Sequence, residues 1–161
     1  MATIKNLSLS HIKKQDAKKF KEKKQVLLDD GTVKVDVDVT FRTSKKNQVV
    51  ADLIKLIQEK VKKNESVTGE SISAAMLSLI IKQFTSIDVK SLNTLDDYVE
   101  MFIIMTDNNY ISPIIDSFDK TELQSMIDYV NEQLDKWNVE VRKILEEIRT
   151  NEGVNNGTEL Q

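Results

Sequence analysis

The 161 residues include 30% charged side chains, sum to a net charge of −3 and contain no cysteine, which excludes disulfides, thiolate catalysis and cysteine-ligated metals and fits a reducing compartment. The length suits one domain that buries about 68–70% of the surface of its unfolded chain. Residues 1–24 lack the apolar stretch of a signal peptide, and no apolar run approaches the roughly 18 residues that span a bilayer, so a soluble, unexported chain is expected.

The charge is unevenly placed. Residues 1–24 carry eight Lys against Asp16 and Glu22, a net of +6 that leaves −9 on the remainder. Such an arm can attract nucleic acid or an anionic partner by charge alone, or lie against its own acidic body. Its apolar members, Ile4, Leu7, Leu9, Ile12 and Phe20, hold neither a helical nor a strand period. Residues 1–23 therefore read as a basic, flexible arm that could turn helical across residues 11–23. His11, the only histidine, has no nearby carboxylate to orient its ring for catalysis or metal binding.

Residues 24–41 hold the one β signal. Val33, Val35, Val37, Val39 and Phe41 alternate with Lys34, Asp36, Asp38 and Thr40, which predicts a strand with five large residues on one face. A shorter apolar run, residues 25–28, comes before Asp29, Asp30, Gly31 and Thr32. The Asp-Gly pair supplies the positive φ of a tight turn, so the segment predicts a β-hairpin. A lone hairpin is marginal; its Val face must rest on helices, or its edge must pair with another chain.

Thr43 and Ser44 are N-cap candidates for a helix with Val49, Val50, Leu53, Ile54, Ile57 and Val61 on one face. After a loop at 64–70, residues 71–84 show a broad apolar surface (Ile72, Ala75, Met76, Leu79, Ile80, Phe84, widened by Leu77 and Ile81) that predicts a central, buried helix. Thr94 followed by Asp96 and Asp97 reads as a cap and an acidic first turn before Tyr98, Val99, Phe102, Ile103 and Met105. Ser112-Pro113 is another start signal, with Pro at the first helical position. Asp119 and Glu122 have capping-box spacing.

Residues 121–149 form the longest periodic segment. Leu123, Ile127, Val130, Leu134, Trp137, Val141, Ile144 and Ile148 are spaced by fours and threes, one stripe on one face of a helix of about 42 Å. Two readings bury this stripe: the core seam of a bundle, or a seam that accepts a partner or a second copy. On the second reading Val130, Leu134, Trp137, Val141, Ile144 and Ile148 are the candidate partner-binding residues, with Trp137 the natural anchor. Residues 150–161 are polar and Gly/Asn-rich and predict a disordered tail. The expected architecture is α+β, mostly α: an N-terminal hairpin on about four to five helices ending in a long C-terminal helix, with residues 24–149 as a single domain.

Catalytic signals are missing. Four Gly and one Pro leave little material for phosphate-binding loops, and neither a Walker A nor a dinucleotide fingerprint is present. Asp36 and Asp38 could hold a hard cation, but a solvated strand face explains them more simply; Asp116 and Asp119 are a third carboxylate pair without partners in sequence. The arm offers Lys without Arg and one aromatic, Phe20, enough for non-specific attraction to nucleic acid and not for reading sequence. No catalytic residue, cofactor or metal is expected, and the chain is not expected to be an enzyme.

The order of parts resembles the tail assembly chaperones of tailed bacteriophages of Gram-positive hosts. The resemblance rests on the Asp-Gly hairpin, the helix with Val50, Ala51, Asp52, Leu53 and Ile54, and the run Leu79, Ile80, Ile81, Lys82, Gln83, Phe84 and Thr85 before Ser86 and Ile87. Acidic short helices around residues 98–115 and the long terminal helix complete it, over residues 24–148. It implies a non-enzymatic protein of the host cytoplasm that binds the helical tape-measure protein, presents it to the tail tube protein, forms homo-oligomers in some cases and is absent from the mature virion. Two alternatives are a small DNA-associated or regulatory phage protein acting through the Lys-rich arm, and a virion structural adaptor.

Overall fold

The computed structural model describes Ile4 and residues 6–155 of the protein. The chain runs α1 (Leu9–Lys19), β1 (Lys23–Leu28), β2 (Val33–Asp38), α2 (Thr43–Lys62), α3 (Gly69–Phe84), α4 (Leu95–Asp107), α5 (Ile111–Ser117) and α6 (Lys120–Asn155). This is the expected α+β, mostly α architecture, a two-stranded antiparallel hairpin on helices with a long helix at the end.

The basic arm contains a regular helix. Ser8 caps α1 by accepting the His11 N–H at 3.2 Å, and no α1 residue is buried. Its tie to the body is charged: Arg42 donates to both carboxylate oxygens of Asp16 at 2.8 and 2.9 Å and lies 4.2 Å over the Phe20 ring. The helix starts and stops earlier than residues 11–23, and Lys23 already belongs to β1.

The hairpin pairs Lys23 with Asp38 through Leu28 with Val33. Asp29, Asp30 and Gly31 turn the chain at φ 50°, 54° and 85°, the left-handed conformations that Asp tolerates and Gly adopts freely. Val35, Val37 and Phe41 are buried as the alternation predicts, but the strand stops at Asp38. Beyond it β1 has almost nothing left to pair with, and the chain bends so that Phe41 enters the core. Val33, at the hairpin tip, is 44% exposed.

The outer edge of β2 is closed by the chain leaving α3. Val37 bridges Thr85, Ser86 N–H donates to Asp36 O at 2.9 Å, and Asp36 N–H donates to Ser86 Oγ at 2.9 Å. The hairpin therefore needs no second chain, on its face or on this edge.

α3 lies at the centre, between α2 and α4, with Ala75, Met76, Ser78, Leu79, Ile80, Ile81 and Phe84 buried. Its one buried polar side chain, Ser78, donates to Tyr98 O at 2.8 Å. α3 starts at Gly69, ahead of residue 71, because Thr68 and Ser71 form a reciprocal capping box. At the start of α2 the N-cap is Arg42, without a side-chain cap bond; Thr43 and Ser44 fall inside the first turn because Phe41 and Arg42 fix where the chain enters the helix.

Thr94 caps α4 as expected, and the Asp97 carboxylate accepts the N–H groups of Asn93 and Thr94 at 2.9 and 2.8 Å. Ile103 and Ile104 are exposed on α4, whereas Leu95, Tyr98 and Met105 are buried. Pro113 sits at the third position of α5, since Tyr110 is the N-cap; first-turn N–H groups have no intrahelical partner, so the missing donor costs nothing there. Asp119 accepts the N–H groups of Thr121 and Glu122, both at 3.0 Å, and opens α6. α6 continues past Arg149 to Asn155, so the expected disordered tail begins as helix; the rest of that tail, residues 156–161, lies outside the described residues.

Two outcomes follow from this packing. Phe84 stacks on Phe41 with ring centroids 3.8 Å apart, so Phe84→Ala should cost about 3–5 kcal/mol in urea unfolding. The two backbone bonds to Asp97 hold its carboxyl below the ordinary carboxylate pKa. A pKa depressed in the folded state contributes stability above the unfolded value that is lost as pH falls through the folded one. The difference in urea midpoint between wild type and Asp97→Asn should accordingly be full at pH 7 and shrink once the pH drops below about 4.

Candidate functional site

The 36 residues of α6 reach about 54 Å at 1.5 Å per residue, and the body covers only the first half. There Met126 and Val130 are fully buried, with Leu123, Ile127 and Tyr129 packed against the core. Tyr129 OH donates to Asn47 Oδ1 at 2.8 Å, and Lys46 Nζ lies 3.3 Å from Glu122, so the contact is chiefly with α2.

Farther along, the stripe continues while its cover ends. Leu134 and Trp137 are half-buried at the margin of the core. Val141 is half-buried, and Ile144, Leu145 and Ile148 are 55%, 52% and 47% exposed. Of the six residues expected to bind a partner, Val130 is sealed inside the body, Leu134 and Trp137 mark the exit, and Val141, Ile144 and Ile148 lie on the free half. Sequence reading missed Leu145, which widens the stripe; its adjacency to Ile144 at helical spacing was the available signal.

Around the helix, at about 100° per residue, Glu140 and Glu147 flank the free stripe on one side and Arg142 and Arg149 on the other. All four are exposed. Lys136 and Lys143 stand farther out on the acidic side, Asp135 and Glu146 on the basic side. Lys136 pairs with Glu132 at 2.6 Å, which raises the Lys136 pKa. This surface can grip an amphipathic helix; it has no nucleophile and no converging acid–base pair. Among the described residues no group of three or more His, Asp or Glu could hold a metal ion, and none of their helices is long and apolar enough to cross a membrane. The other unabsorbed feature, α1, presents Lys13, Lys14, Lys18 and Lys19 to solvent.

A family model described as YomO matches residues 9–161. The chain belongs to the YomO family. The YomO family is phage-associated, of the SPbeta type, and this chain is thus a phage-associated protein. The YomO match begins at the first residue of α1, so the basic helix is within the family's common span. It also takes in the whole of α6, both the half that seals the core and the half that leaves it. Comparisons with curated proteins and with solved structures returned no match.

If the free half carries no folding load, Ile144→Ala and Ile148→Ala should each change stability by no more than about 0.5 kcal/mol, in contrast to Val130→Ala. Trp137, the single tryptophan, should be quenched by acrylamide in the isolated protein and protected when the stripe is covered.

Proposed function

We propose that the protein is a non-enzymatic phage assembly protein, a tail assembly chaperone that uses the free half of α6 to bind helical segments of the tape-measure protein and deliver them to tail tube assembly. The observation that carries this reading is that α6 runs about 27 Å past the body, from residue 138 to residue 155 at 1.5 Å per residue, and carries its apolar stripe on that half through Val141, Ile144, Leu145 and Ile148. A client of long amphipathic helix needs a surface that accepts many registers, and a smooth stripe of Val, Ile and Leu supplies one through helix-in-groove contact. The phage association of the family and the resemblance in the order of parts support the same reading. The hairpin contributes nothing to it, because Val35 and Val37 are buried and the β2 edge is covered.

On this proposal the protein works in the host cytoplasm and is left out of the finished particle. Co-expression with the tape-measure protein of the same phage, followed by affinity capture, should retain that client. Ile144→Asp with Ile148→Asp should abolish retention and leave the fold intact by circular dichroism. Absence of capture by the wild-type chain, or undiminished capture by the double variant, refutes the proposal.

A further inference from the structure

We infer that the free half of α6 is built for a helix of a different polypeptide and is guarded against a second copy of itself. The inference rests on the docking role proposed above and specifies the partner's chemistry: an amphipathic helix whose charged flanks complement those of α6. Such a helix carries Lys or Arg along the flank that meets Glu140 and Glu147, and Asp or Glu along the flank that meets Arg142 and Arg149.

Two constraints give this result. The first is steric. The stripe is continuous, and its first half, with Met126 and Val130, is already covered by the body. A second α6 laid parallel on the free half would drive its own first half, with its own body, into the space that α2 and its neighbours occupy. Only the antiparallel sense places the two bodies at opposite ends.

The second constraint is electrostatic. Across an antiparallel pair of identical helices, each flank faces its own copy. Glu140 and Glu147 of one chain would meet the same glutamates of the other, and Arg142 and Arg149 would meet arginines. The parallel arrangement would match acid with base, but it is the one the body forbids. The outer Lys143 and Glu146 stand farther from the seam than the residues they oppose and do not restore the match. Like charges at flanking positions are a familiar device for rejecting wrong partners.

A probe with inverted flanks tests this directly: the full chain carrying Glu140→Lys, Glu147→Lys, Arg142→Glu and Arg149→Glu, four changes on an exposed helical surface. By sedimentation equilibrium at low salt and micromolar concentration, wild type alone and the inverted chain alone should each be monomeric. Their equimolar mixture should form a 1:1 heterodimer with at least tenfold tighter association than either self-pairing, and with Trp137 fluorescence shifted to the blue. Adding Ile144→Asp to either chain should prevent the heterodimer, and 1 M salt should weaken it. A stable wild-type homodimer, or a mixture that stays monomeric while both chains are folded by circular dichroism, overturns the inference. Neither result depends on the tape-measure protein, so failure of client capture and failure of this inference are separate findings.

Discussion

The stacking of Phe41 on Phe84, with Phe118 edge-on to Phe41 at 5.3 Å, is the contact on which the rest of the body depends. Phe41 stands where the chain leaves the hairpin, Phe84 at the end of the central helix and Phe118 at the exit of α5. One aromatic cluster thus fixes the hairpin, α3 and the start of α6 relative to each other. Aromatic pairs of this kind add about 0.5–1.5 kcal/mol beyond their buried area. Their greater effect here is geometric: they set where α2 begins, how the α3 exit reaches the sheet edge, and the direction in which α6 departs.

The α3 exit shows how a small sheet survives without a third strand. Phe84 is held in the core, so Thr85 and Ser86 fall against β2, where Thr85 lies opposite Val37 and Ser86 satisfies the backbone N–H and C=O of Asp36. Unpaired strand edges invite pairing with other chains. With this one covered, the β2 edge is closed to such pairing, and the proposed docking surface is a helical face, which selects by side-chain pattern.

Much of this was legible in the sequence because it is local. The Asp-Gly turn, the Val alternation, the Thr94 cap and the fours-and-threes of α6 follow from backbone geometry and periodicity. What was not legible depends on contacts distant in the chain. The strand ends at Asp38 because of where β1 begins and where Phe84 lies. Arg42 displaces Thr43 and Ser44 as the cap because Asp16 and Phe20 hold it from α1. The stripe reads the same from Leu123 to Ile148, and no feature of its spacing says that cover stops near Trp137. The opposite charges of its two flanks were written in the sequence, but they acquire meaning only once the body is known to block one orientation.

Residues 120–152 contain neither glycine nor proline, so no hinge separates the half of α6 that seals the core from the half that stands free. The helix behaves as a strut: an unbroken ladder of backbone bonds transmits a load at its tip to Met126 and Val130. On the proposed docking role, a partner at the tip would be held at a standoff fixed by helical rise, unlike the slack tether that a glycine-rich linker would provide.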